Sequence, residues 1–190
     1  YSASDPESEP VWLTVNEAFI AHAGVDLLST IRTDGTADRD ALAALSPVSF
    51  QADESWSDIF SRILSEKVEP QLGNGCITVL YEYPSVEAAL ARTSARDPRV
   101  AERFELYACG VELANGFGEL TDAEEQRRRF EAEMDVKEQT YGERYPIDED
   151  LLAALAIMPP ASGVALGLDR LIMLAAGATR IDQVLWTPVA

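Results

Sequence analysis

The sequence is short of the residues from which much reaction chemistry is built. It has one histidine, His22, and two cysteines, Cys76 and Cys109. A lone histidine near the end of a helical stretch has no serine and aspartate constellation around it. It reads as a surface or dipole-satisfying residue, and triad catalysis is excluded. Two cysteines fit no metal-ligand spacing and are too few for a disulfide framework, so both read as reduced thiols. No run approaches the roughly 18 uninterrupted apolar residues that a membrane-spanning helix requires. There is no glycine-rich nucleotide loop of the P-loop or dinucleotide type and no internal repeat. No charged-then-apolar leader opens the chain, so the expected location is the cytoplasm, with no membrane partner. Basic residues are scarce: 15 Lys and Arg stand against 33 Asp and Glu, a formal net charge of −18. Without a basic stripe, that charge opposes the long-range attraction on which nonspecific nucleic-acid binding relies. Acidity is equally a matter of solubility in a salty cytosol.

A first methionine is also missing. The chain begins YSASDPESEP, polar and turn-rich, so residues 1–12 read as a linker or a cut edge and the whole as part of a longer protein.

What is present is an ordinary apolar fraction, 47% of 190 residues, enough for one sizeable core. Thr14 and Glu17 are spaced as a capping box ahead of a helix to Ala23, with Gly24 placed to end it. A second helix is expected over Ala37 to Leu45. A third runs from Ser55, a good N-cap, to Val68, with Trp56, Ile59, Phe60, Ile63 and Leu64 on one apolar stripe; the stripe reads as core. Cys76 to Tyr83 is β-branched and aromatic, a strand ended by Pro84. Thr121 with Glu124 marks a capping box for a charged, solvated helix to about Tyr141. Pro146 to Ile157 adds another helix. In SGVALGLDRLIMLAAG, Gly163 to Gly167 reads as a strand and Leu168 to Ala176 as a buried helix with Asp169 and Arg170 in its first turn. An arginine there suits either an anionic phosphate or a structural ion pair.

The centre of the chain is FELYACGVELANGFGEL, Phe104 to Leu120. Glu102 to Ala108 and Val111 to Ala114 are strand-like, joined by Cys109-Gly110 as a two-residue turn. Tyr107 then faces Glu112, and Glu105 and Glu112 project from one face as diagonal neighbours about 7–8 Å apart, able to hold a hard cation.

RFELYACGVELANGFGELTDAEEQRRRFEAE and MPPASGVALGLDRLIMLAAG together resemble the C-terminal half of class II lysyl-tRNA synthetases, and more closely their paralogues, the elongation factor P lysine ligases. The resemblance extends from about Leu13, making residues 13–190 the C-terminal part of a catalytic domain that includes motif 3. It implies an α+β fold, a six- or seven-stranded antiparallel sheet flanked by helices, incomplete because the motif 1 and motif 2 strands are absent. It also implies that Glu105 and Glu112 hold magnesium on ATP, that Asn115, Phe117 and Glu119 line the amino-acid pocket, and that Glu119 meets the side-chain ammonium. By the same resemblance Arg170 holds the γ-phosphate and Gly167 gives adenine a close backbone. Ala165, where lysyl-tRNA synthetases generally carry glycine, is similar to the ligases. Gly118 departs from both groups, which more usually have serine or histidine.

The implied activity is ATP-dependent adenylation of (R)-β-lysine or lysine and transfer to a lysine of elongation factor P, without tRNA, by a homodimeric full-length parent. The segment alone, lacking the motif 2 arginine, is expected to be inactive, and loss of motifs 1 and 2 to expose apolar surface and a sheet edge. A fragment of a true lysyl-tRNA synthetase and a non-catalytic nucleotide- or partner-binding module are the competing readings. One geometric demand follows from the pocket assignment. Asn115, Phe117 and Glu119 lie an odd number of residues from Glu112, so sharing its face requires a break between Ala114 and Gly116, with Gly116 the expected bulge.

Overall fold

The computed structural model describes Asp5 and residues 7–187; part of the expected linker, residues 1–4 and Pro6, lies outside that range. Asp5 forms a parallel bridge with Cys76. Strand β1, Val11–Thr14, runs directly into helix α1, Val15–Ala23. Thr14 and Glu17 form the reciprocal capping box, and Gly24 ends the helix at φ 70°. The left-handed conformation there favours glycine.

Helix α2, Arg39–Leu45, starts later than its apolar pattern predicts because Ala37 is drawn into a bridge with Ile31 and Asp38 becomes the N-cap. Helix α3, Trp56–Ile63, carries the expected stripe and a Ser55–Asp58 capping box. It does not continue as α-helix to Val68: Leu64–Val68 is wound as π-helix and Glu69–Gln71 as 3-10. The stripe is core. Phe60 stacks between Phe19 and Trp56 with ring centroids 5.2 and 5.3 Å away. Trp56 is buried, and its indole N–H donates to the Thr30 hydroxyl at 3.0 Å.

Strands β2 (Thr78–Pro84), β3 (Val100–Ala108), β4 (Val111–Gly118) and β5 (Ser162–Leu166) complete a five-stranded sheet in the order β1-β2-β3-β4-β5. β1 pairs β2 in parallel and every other pair is antiparallel. Five strands among the described residues are fewer than the six or seven of a complete sheet, in keeping with the incomplete fold expected. Pro84 ends β2 as expected, opposite Val100, while the strand starts at Thr78, two residues after Cys76. The β3–β4 turn is Cys109-Gly110, both at positive φ, 55° and 72°. This matches the twist that a two-residue hairpin needs.

Helix α4, Ala123–Tyr141, is capped by Asp122 rather than Thr121: its carboxylate accepts from the N–H groups of both Glu124 and Glu125. Arg129 fastens α4 to the loop before β3 by donating to the carbonyls of Ala89 and Ala91 and to the Thr93 hydroxyl. Helix α5, Glu149–Leu155, follows, and α6, Leu168–Ala175, comes directly after β5.

The register assigns two faces. On one, Leu13, Leu80, Glu105, Asn115 and Ala165 form a row across all five strands. Helices α1 and α3 cover the β1–β2 end of this face, burying Leu80 and Tyr107 with Val15, Phe19 and Ile59. The opposite face carries Trp12, Val79, Tyr81, Phe104 and Leu106, which line an apolar groove. Trp12 is 65% exposed there, and Val164 and Leu166 extend the exposed strip. Helix α6 is likewise not buried. Leu168, Leu171 and Ile172 are exposed and only Met173 is enclosed, because its outward side meets no other described element. No helix among the described residues is long and apolar enough to cross a membrane.

Gly73 anchors the hairpin, accepting from Cys109 N–H at 2.7 Å and donating to the Thr78 hydroxyl at 3.0 Å. Its φ is +69°, and a Cβ there would lie 2.8 Å from the backbone of Tyr107 and Ala108. Gly73→Ala should therefore cost about 3 kcal/mol, combining left-handed strain with backbone overpacking. Urea denaturation measures it, and an unchanged midpoint would contradict this account of the turn.

Candidate functional site

The site is built on an interrupted ladder. Leu106 pairs Ala114, but the next residue, Tyr107, pairs Glu112, so Leu113 is an extra residue in β4. A bulge of this kind reverses which face the following side chains take. The reversal occurs at Leu113, ahead of the expected Ala114–Gly116 stretch. Gly116 has another reason to be glycine: a Cβ there would meet the Phe104 ring at 2.4 Å and the Gly163 carbonyl at 3.1 Å.

Because of the bulge, Glu112 and Asn115 share a face although three positions separate them. Phe117 pairs Arg103 on that face. Glu119, just past β4, brings its carboxylate over Gly163, the partner of Phe117; a Cβ at Gly163 would sit 2.4 Å from it. Ala165 pairs Asn115 and is exposed on the same face. Gly118 projects the other way, into the groove, where a Cβ would meet the Glu102 carboxylate at 2.4 Å. That carboxylate is paired with Arg92. The unusual glycine is thus accommodated on the face away from the candidate site.

Glu105 is 6% exposed and heavily bonded. Its Oε1 accepts from Arg103 Nη2 at 2.8 Å and Asn115 Nδ2 at 3.0 Å, and its Oε2 from the Tyr107 hydroxyl at 2.7 Å. Asn115 Oδ1 is buried with no hydrogen-bond partner. A buried acceptor left in that condition costs about 1–3 kcal/mol unless a ligand supplies a donor.

Glu112 is held from α6. Arg170 Nη1 donates to Glu112 Oε2 at 2.8 Å and to its backbone oxygen at 2.9 Å. Arg170 is thus in an ion pair with Glu112, both side chains partly solvent-exposed. Gly167 caps α6, and its N–H donates to the Leu113 carbonyl at 2.8 Å. A Cβ at Gly167 would make only ordinary contacts, the nearest at 3.4 Å, so nothing inside the chain demands glycine there.

Three residues had no site role from the sequence, although Tyr107 was placed opposite Glu112. Arg103 and Tyr107 lie on the strand of Glu105 at alternate positions, a spacing that could have grouped them with it. Glu69 had no such signal, since it arrives from the 3-10 turn after the π-wound end of α3. Its Oε1 accepts from the Tyr107 hydroxyl at 3.3 Å. Burial, followed by the negative charges of Glu105 and Glu112, raises its carboxyl above the ordinary 4.5, while the Tyr107 hydrogen bond and Arg170 partly offset the rise. Burial, with Glu105 close by, likewise pushes the Tyr107 phenol up.

Among the described residues no group of three or more His, Cys, Asp or Glu is disposed as a metal cage. What the face offers is two carboxylates, Glu105 and Glu112, beside a third, Glu69, whose pKa is raised by burial first and by their negative charge second. Such a donor set fits a hard cation that completes its shell with phosphate and water. The raised Glu69 pKa has a stability consequence with a definite sign. An acid whose folded pKa lies above its unfolded value opposes folding once it ionises, and not when both states are protonated. Glu69→Gln should therefore raise the melting temperature near pH 7, with the gain fading as pH falls through 4.5. A gain that persisted at pH 4 would contradict this.

Comparison with known proteins bears on what this face is for. Residues 53–190 match the family described as tRNA synthetases class II (D, K and N). The chain is 47% identical over 175 residues to the elongation factor P--(R)-beta-lysine ligase of Edwardsiella ictaluri (strain 93-146), covering 91% of this chain and 53% of that protein. It is 43% identical over 175 residues to the ligase of the same name from Salmonella gallinarum, with the same coverage. It is 42% identical over 179 residues to that of Hamiltonella defensa, covering 93% of this chain and 54% of the relative. The chain thus spans about half the length of the curated relatives it matches. With an α+β fold, a mostly antiparallel open sheet and a family match over most of its residues, the chain belongs to the class II tRNA synthetases.

Proposed function

We propose that the full-length protein uses ATP to activate (R)-β-lysine, or lysine less well, as an aminoacyl adenylate. It then passes the acyl group to a lysine ε-amine of elongation factor P, with no tRNA and in the cytoplasm, as a homodimer. One observation carries this reading to the site: the Leu113 bulge brings Glu105, Glu112, Asn115, Phe117 and Glu119 onto a single face beside Arg170. The names of the relatives supply the substrate class.

Activating a carboxylate with ATP brings anions together, so phosphate charge must be neutralised as the α-phosphorus is attacked. Glu105 and Glu112 would hold magnesium, which when bound supplies that neutralisation. Arg170, released from Glu112, takes the γ-phosphate, and the missing side chain at Gly167 admits the adenine edge against backbone. On the other half of the face Asn115 Oδ1 accepts from the amino acid, Phe117 walls the pocket and Glu119 pairs with the side-chain ammonium. Ala165, exposed beside Asn115, trims the pocket by one methyl relative to glycine. An uncharged analogue is rejected because it leaves Glu119 unpaired. Attack by the acceptor amine on the acyl carbon then releases AMP and requires no protein nucleophile.

The motif 2 arginine for the α-phosphate is not in these 190 residues, and the apolar groove face is the surface that the rest of a complete catalytic domain would cover. ATP–pyrophosphate exchange tests both points. The full-length protein should exchange with (R)-β-lysine and the present chain alone should not. Arg170→Ala in the full-length protein should lower the rate by about 10²–10³-fold, and Glu119→Gln should lower kcat/KM for the amino acid by about 10²-fold. Transfer of labelled β-lysine to elongation factor P, with no charging of tRNA, is the expected outcome. Charging of tRNA by the full-length protein would identify a lysyl-tRNA synthetase, and robust exchange by the present chain would overturn the need for motif 2.

A further inference from the structure

Arg103, on β3 beside Glu105, is fixed by four contacts. Its guanidinium lies 4.3 Å from the Tyr83 ring centroid and 5.9 Å from that of Phe117. Nη1 donates to the Glu87 carbonyl at 2.7 Å, and Nη2 to Glu105 Oε1 at 2.8 Å. Its side chain is only 17% exposed and that of Glu105 only 8%. Glu105 Oε1 also receives Asn115 Nδ2, and that contact decides how the amide of Asn115 is turned. A carboxylate offers only acceptors, so the amide must present its NH₂ to Glu105 and aim its carbonyl oxygen away. That oxygen is one of four buried side-chain atoms without a partner among the described residues, with the Tyr83 hydroxyl, Glu87 Oε1 and Arg103 Nε, and the one that belongs to an assigned pocket residue.

We propose that Arg103 is a positioning residue for amino-acid recognition: by fixing Glu105 Oε1 it turns Asn115 so that Oδ1 faces the ligand amine. The assignment of Asn115 to the amino-acid pocket rests on the function proposed above; the Arg103–Glu105–Asn115 chain rests on the geometry alone. The planar fork suits the task because it reaches the Glu87 carbonyl and Glu105 at once while its faces lie against two rings. Tyr107 holds the other oxygen of Glu105 and does not touch Asn115 Nδ2. Without Arg103 the carboxylate keeps one anchor and is free to pivot about it, taking the Asn115 amide with it.

The test uses the full-length protein labelled with ¹⁵N-asparagine, with Asn115→Ala identifying the side-chain resonance. In Arg103→Gln the Asn115 NH₂ pair should lose its carboxylate-bonded shift and move to solvent-exposed values. Arg103→Met fills the slot between the rings without donors and takes the same measurement if the glutamine variant fails to fold. In pyrophosphate exchange the amino-acid KM should rise about tenfold, the worth of one charge-assisted hydrogen bond. Adding Arg103→Gln to Asn115→Ala should raise it no further, since the first acts through the second. An unchanged Asn115 resonance, or effects on KM that multiply, would overturn the proposal. Wild-type protein that exchanges with no amino acid would sink the functional reading instead, and the resonance would still decide the role of Arg103.

Discussion

One surplus residue in β4 governs the site. Strand geometry alternates side chains strictly, so without Leu113 as a bulge either Glu112 or the Asn115–Phe117–Glu119 set would point into the apolar groove. The bulge is held from two sides. The Leu113 side chain is 7% exposed, and its carbonyl accepts the Gly167 N–H at the start of α6. The contact that stabilises the irregular backbone therefore also places Arg170, three residues on, beside Glu112. Fold and site are joined through that one hydrogen bond and the helix it begins.

Charge is the second constraint. Glu69, Glu105 and Glu112 face a small region where Arg103 and Arg170 provide the positive charge, each paired with a carboxylate. Burial first, and the negative charges of Glu105 and Glu112 after it, hold the Glu69 carboxyl above its ordinary value. In the function proposed above, a cation entering this region would reduce like-charge repulsion and let Arg170 leave Glu112 for a phosphate. The net charge of −18 is a separate matter of the whole surface.

Much of the fold was legible in the sequence because its signals are local. The Thr14–Glu17 and Ser55–Asp58 capping boxes, the α3 stripe and the Cys109-Gly110 turn each depend on residues within a few positions of one another. What was misread depends on partners distant in sequence. The burial expected of α6 fails because its outer surface meets no other described element, and α2 starts late because Ile31 recruits Ala37. At the site, the need for a face change followed from simple parity. Its location did not, because Leu113 is held by Gly167 more than fifty residues downstream. Glu69 was invisible for the same reason. It reaches Tyr107 only through the π-wound end of α3, a feature with no local sequence signature.

The measurement that tests the account most directly is a crystal structure of the full-length protein with a non-hydrolysable β-lysyl-adenylate analogue. The account predicts ligand amines within about 3.2 Å of Asn115 Oδ1 and the Glu119 carboxylate, and the nucleotide on the same face, towards Glu112 and Gly167. An analogue bound in the groove around Trp12 and Phe104, or one that leaves Asn115 Oδ1 without a donor, would contradict it.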